Sequence, residues 1–132
     1  MKHSIRLVAL VALLLVAACP STGTKPDTEP PGPSADFLVG SWEDSEGTEL
    51  TFEKVDGKVK VARIVDYDGE VFEVRSAGFV NGTYTFTYLV PSTGYVVTMR
   101  ILDSEGDEID AEWSNRSDTG EEDSGTEVLT RQ

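Results

Sequence analysis

An all-β fold, an eight-stranded antiparallel up-and-down meander closed into a small barrel, is the class that this 132-residue sequence predicts. Three observations lead there. Turn signals recur every ten to thirteen residues between Glu46 and Gly106. The segments between them alternate apolar and polar residues, the period of a strand with one wet face. No segment after residue 36 carries the 3.6-residue period of an amphipathic helix.

The chain opens on a basic start, Met1-Lys2-His3-Ser4-Ile5-Arg6, followed by a twelve-residue apolar run, Leu7 to Ala18. That run suits the hydrophobic region of a signal peptide and is too short to span a bilayer as a helix. It ends in Val16-Ala17-Ala18-Cys19. Small residues just before a cysteine in this setting resemble the lipobox of bacterial lipoprotein signal peptides. The resemblance implies cleavage before Cys19, acylation of its thiol and often acylation of the new amino terminus. Residues 1–18 are then a signal peptide. Cys19 becomes a lipid anchor to the outer or cytoplasmic membrane of the cell envelope, with the protein facing away from the cytoplasm. An ordinary secretory signal with an incidental cysteine, or an uncleaved helix, are the competing readings. Cys19 is the only cysteine, so no intramolecular disulfide can form. Each buried methylene adds about 0.8 kcal/mol, so two or three acyl chains hold stably where one holds weakly.

Residues 19–36 read as the lipidated cysteine and a proline-rich tether. Five of the six prolines lie here, and Pro20 to Asp36 has no large apolar residue. Such a stretch cannot bury enough surface to offset its ordering entropy. At about 3 Å per residue it reaches up to ~50 Å from a lipid surface. A proline-rich ligand for a partner domain is the alternative.

Residues 37–132 are the predicted barrel domain. Its turn signals are Glu46-Gly47, Asp56-Gly57, Asp68-Gly69, Asn81-Gly82, Ser92-Thr93-Gly94 and Glu105-Gly106, then a longer polar loop from about Asn115 to Gly125. Seven turns separate eight strands. Leu50 and Phe52 point together in the second, Val59 and Val61 in the third, Phe72 and Val74 in the fourth. Tyr84, Phe86, Tyr88 and Val90 share a face of the fifth. Tyr95, Val97, Met99 and Ile101 share one of the sixth. Ile109, Ala111 and Trp113 do so in the seventh, opposite Glu108, Asp110 and Glu112. Closing such a meander into a ring covers edges that otherwise invite aggregation.

The two ends of the domain carry a second resemblance. Gly40-Ser41-Trp42, after Phe37-Leu38-Val39, is similar to the Gly-x-Trp opening of the first strand in lipocalins, fatty-acid-binding proteins and avidins, together the calycins. That resemblance implies that Trp42 closes one end of the barrel. It also implies that Arg131, in Val128-Leu129-Thr130-Arg131, packs over the indole, a cation–π contact of about 0.5–2 kcal/mol. The domain is shorter than a lipocalin and shows no helix after its strands. Small barrels tend to fill with their own side chains.

Chemistry is bounded by what is missing. The only histidine, His3, lies in the predicted signal peptide. Without imidazole or a free thiol, the mature chain lacks Ser–His and Cys–His catalysis and the common zinc sites. The sequence therefore reads as a binding protein, not an enzyme, and implies no cofactor. The acidic run from Asp103 to Glu108 places Glu108 and Ser114 where a calcium loop of the EF-hand type needs Gly and Glu, so no metal site is predicted. Twenty-one acids face eight basic residues within 37–132, which argues against nucleic acid as a partner.

Two functions stay open. In one, the barrel takes a small apolar ligand lined by Tyr84, Phe86, Tyr88, Tyr95 and Met99. In the other, the barrel is solid and its acidic outside, with the stripe Glu108, Asp110 and Glu112, docks on a basic envelope protein or inhibits it.

Overall fold

A computed structural model describes residues 32–132. The predicted signal peptide, Cys19 and most of the predicted tether lie outside the described residues. Eight strands follow one 3₁₀ turn, Asp36–Leu38: β1 Gly40–Glu43, β2 Glu49–Val55, β3 Lys58–Val65, β4 Glu73–Val80, β5 Thr83–Val90, β6 Tyr95–Glu105, β7 Glu108–Arg116 and β8 Glu122–Arg131. All pairings are antiparallel, in the order β3-β2-β1-β8-β7-β6-β5-β4. This is the meander that the turn spacing predicts, with β1 and β8 joining the two halves through Trp42↔Arg131 and Glu43↔Thr130.

The ring is nearly closed. The end of β3 meets the segment just ahead of β4 at the isolated bridge Val65↔Val71, reinforced by the Phe72 N–H donating to the Ile64 carbonyl at 3.0 Å. Beyond that point the two strands run unpaired. Breaks of register at Thr51/Phe52, Val74/Ser76 and Ile101/Asp103 add the local twist that curls a sheet toward closure.

Local sequence explains the hairpins. Asp56 and Asn81 take left-handed φ of 52° and 50° ahead of Gly57 and Gly82, so these pairs make the tight two-residue turns their composition favours. Three expectations shift. The long loop at 115–125 shrinks, because Asn115↔Asp123 and Arg116↔Glu122 extend the β7–β8 ladder and Arg116 pairs with Glu122 at 2.8 Å. β4 begins at Glu73, after Phe72. The folded part starts inside the predicted tether: Ala35 is buried and Asp36 accepts a 2.9 Å hydrogen bond from the Lys54 ammonium.

The core fills one half of the barrel. Trp42, Phe52, Phe86, Leu38, Ile64, Ile109 and Leu129 are fully buried. Phe52 meets Phe86 edge to face at 5.6 Å and Tyr84 at 6.3 Å. The 3₁₀ turn plugs the end, and the Trp42 indole N–H donates to the Leu38 carbonyl at 2.7 Å. Arg131 lies over that indole, 4.3 Å from the ring centre, and donates to the carbonyls of Val39 (3.0 Å) and Phe37 (2.8 Å). Gly40 makes this possible. Its φ is +127°, and a Cβ there would stand 2.9 Å from the arginine Nη1.

Arg131→Ala is expected to lower the unfolding free energy by about 2 kcal/mol, from the lost cation–π contact and charged hydrogen bonds. Trp42→Ala is expected to remove about 3–5 kcal/mol. In urea denaturation the double variant should lose less than the sum, because both changes break one shared contact.

Candidate ligand-binding site

A meander sends alternate connections to alternate ends. The tight turns at 56–57, 81–82 and 106–107 lie at the plugged end. The longer connections at 44–48, 66–72, 91–94 and 117–121 lie at the other end, which is where the barrel is hollow. A cavity of about 250 Å³ opens there.

Its walls come from five strands and one loop. Leu50 of β2 with Val97 and Met99 of β6 form an apolar floor. Tyr88 of β5 and Trp113 of β7 give aromatic sides. Thr48 and Asn115 place polar groups near the mouth, with the carboxylates of Asp44, Glu46 and Glu127. Among the described residues, no lysine, arginine or histidine lines this cavity.

The aromatic walls are held in place. Tyr88 stacks on Phe72 at 5.3 Å with the rings within 6° of parallel, and on Phe86 at 6.2 Å. Trp113 faces Gly125 across the β7–β8 ladder. A Cβ at Gly125 would sit 2.9–3.0 Å from three indole atoms, so only glycine lets the ring lie flat against β8.

The mouth is shaped by its own acids. Asp44 Oδ1 accepts the N–H groups of Glu46 (2.9 Å) and Thr48 (2.8 Å), which fixes the β1–β2 loop. Glu127, on the inner face of β8, accepts the Ser45 N–H at 2.9 Å and ties that loop to the strand beside β1. Burial first, then the fields of Asp44, Asp66, Glu46 and Glu127, hold the Tyr88 phenol well above the ordinary phenol range. Burial alone raises that of Tyr84.

The five residues expected to line a ligand divide. Tyr88 and Met99 line this cavity. Phe86 is fully buried in the core. Tyr84 lies toward the plugged end, where its hydroxyl donates to the Val59 carbonyl at 2.8 Å. Tyr95 is not in the cavity lining and borders a separate hollow with Asn115 and Glu121. One alternating face thus serves two purposes along its length. Sequence reasoning missed Trp113 as a wall, because it read that residue only as core, and missed Asp44 and Glu127, which look like surface charges until the loop is folded.

Glu108 and Asp110 are exposed on the outside of β7, beside Glu105 and Asp103 of β6. Glu112 pairs with Arg100 at 3.0 Å. A larger hollow of about 520 Å³ lies between the unpaired stretches of β3 and β4, lined by Lys54, Lys58, Lys60 and Tyr84. There Lys54 is held by Asp36, and the Tyr84 hydroxyl is already bonded. In the β3–β4 loop the carboxylates of Asp66, Asp68 and Glu70 come within 4.8 Å of one another. Each serves the fold: Asp66 takes the Tyr67 N–H, Asp68 the Glu70 N–H, and Glu70 the Ser92 N–H and hydroxyl.

No protein-family model matches the sequence, and none of the curated proteins does. The solved structure of bradavidin2 in complex with biotin superposes with a TM-score of 0.56, over 77% of this chain and 98% of that one. This chain folds as a calycin-like barrel of the avidin type. At 12% sequence identity the likeness to bradavidin2 is one of fold.

Two outcomes are expected. Gly125→Ala should push the Trp113 indole off β8, changing its fluorescence and near-ultraviolet dichroism and lowering stability by about 1–3 kcal/mol. An unfolded phenol ionises near pH 10, whereas the folded Tyr88 stays neutral, so its contribution to stability is intact below that pH and declines above it. Urea midpoints measured from pH 8 to 11 should therefore fall less steeply for Tyr88→Phe than for the parent.

Proposed function

We propose that this chain is a small-molecule-binding barrel, held at a bacterial membrane surface through a lipid on Cys19. The observation that carries the binding half is the open-end cavity, where an aromatic pair, an apolar floor and convergent polar groups meet in an otherwise filled barrel. Ligand sites have this composition. At about 250 Å³ the cavity is slightly below the ~300–1,000 Å³ usual for drug-sized ligands, so it suits a small molecule or the head of a larger one. The bradavidin2–biotin complex is a precedent for a small organic ligand on this fold. Fold likeness is a weak warrant for function, so the reading rests on the residues of this chain. Binding, not catalysis, fits a barrel whose predicted mature sequence has neither histidine nor cysteine beyond Cys19. The membrane half rests on the signal-peptide pattern and Cys19.

Native mass spectrometry of the full chain from its own host is expected to retain an adduct of at most a few hundred daltons, lost in Trp113→Ala. A bare mass in the parent, still bare after incubation with an envelope extract, would count against a resident ligand. Metabolic labelling with an alkynyl fatty acid should tag the chain, and Cys19→Ser should abolish the tag and release the protein from the membrane fraction. Labelling that persists in Cys19→Ser would remove the anchor from this reading.

A further inference from the structure

The charge at the cavity points to the class of its ligand. Resting on the binding reading above, we infer that the cavity selects a small organic cation with an apolar or aromatic body, and discriminates against anions such as biotin. Three carboxylates line the space: Asp44 and Glu46 from the β1–β2 loop and Glu127 from β8. Asp66, just after β3, stands near enough to take a weak 3.5 Å contact from the lining Thr48 hydroxyl. These four come from three separate parts of the chain, yet their fields converge on the Tyr88 phenol inside the cavity. Among the described residues, no basic side chain lines the space to cancel them. The domain's lysines lie elsewhere, and Lys54, Lys58 and Lys60 border the hollow toward the opposite end.

The carboxylates are also held open to a guest. Asp44 and Glu127 are fixed by backbone N–H donors, and no lysine or arginine among the described residues forms a salt bridge with either. A cation entering the mouth gains their attraction in a partly dry site, where it is stronger than in bulk water. Below the mouth, the Trp113 indole suits a cation or an aromatic ring, Tyr88, held by its stacking on Phe72 and Phe86, forms the wall beside it, and Leu50, Val97 and Met99 accept an apolar body. An anionic head meets the same field with opposite sign, and no donor side chain of Arg or Lys awaits it.

The test uses phenyl probes of similar size and differing charge, phenethylamine, 2-phenylethanol and 3-phenylpropionate, with biotin as a fourth. Each is titrated calorimetrically into the full chain in non-ionic detergent, against a detergent blank. Phenethylamine is expected to bind at least about tenfold more tightly than 3-phenylpropionate, a difference of ~1.4 kcal/mol. The preference should shrink as salt is raised. It should also shrink in Glu127→Gln and Asp44→Asn, which keep the carbonyl oxygens that hold the loop, and all probe binding should vanish in Trp113→Ala. Equal affinity for amine and acid, or preference for the acid or biotin, overturns the cation inference and leaves the cavity reading standing. Amine binding that survives Trp113→Ala places the cation outside the cavity and overturns the inference as well. Failure of all four probes to bind a folded chain overturns both.

Discussion

Arg131 holds the junction of β8 with β1, where the two halves of the barrel are joined. β1 and β8 share only two register pairs, Trp42↔Arg131 and Glu43↔Thr130, so ladder hydrogen bonds alone give little purchase at this junction. The guanidinium supplies the rest, lying over Trp42 and capping the carbonyls of Phe37 and Val39. Side chains alternate along a strand, and a slip of one residue exchanges the two faces. With Arg131 inward, Leu129, Glu127 and Gly125 face inward too. Leu129 then enters the core, Glu127 holds Ser45 at the rim of the mouth, and Gly125 offers Trp113 a flat seat. The nine register pairs of β7 with β8 fix this alternation along the strand, so the face that meets Trp42 at the shut end also carries a wall and a carboxylate at the open end.

The interior is graded rather than uniformly solid or hollow. Trp42, Phe52, Phe86, Ile109 and Leu129 fill the half beside the 3₁₀ plug. Toward the longer connections, Tyr88 and Trp113 line space instead of closing it. An eight-stranded barrel is wide enough either to be filled by its side chains or to hold one small ligand, and here each half follows one course. The filled half supplies rigidity; the hollow half inherits fixed walls without having to order them on binding.

Much of the fold was legible. Asp56-Gly57 and Asn81-Gly82 name their turn type, and the period of two in β5, β6 and β7 names the inner face. The seam was not legible, because nothing in Lys58 to Val65 or Glu73 to Val80 says that the strands meet only near Val65 and Val71. Nor was the full extent of the β7–β8 hairpin, since Ser114 to Ser124 is polar and loop-like, and its pairing follows from the neighbouring ladder. For the site, the inner face of β5 was readable but its depth was not. Tyr84, Phe86 and Tyr88 have the same pattern, and only their distance from the plug divides core from cavity. One signal did exist. In a meander the first, third, fifth and seventh turns share an end, and in this sequence most of those are the longer ones.

The topology also has a kinetic side. Six of the seven strand pairings join sequence neighbours, and only β1 with β8 brings together residues from opposite ends of the chain. Local hairpins close short loops cheaply, whereas joining the ends carries the largest loop entropy. The hairpins can therefore assemble as two curved sheets, β3-β2-β1 and β8-β7-β6-β5-β4, before they meet. Their meeting is the step that seats Arg131 on Trp42, so the contact that defines the finished barrel belongs to the late part of its folding.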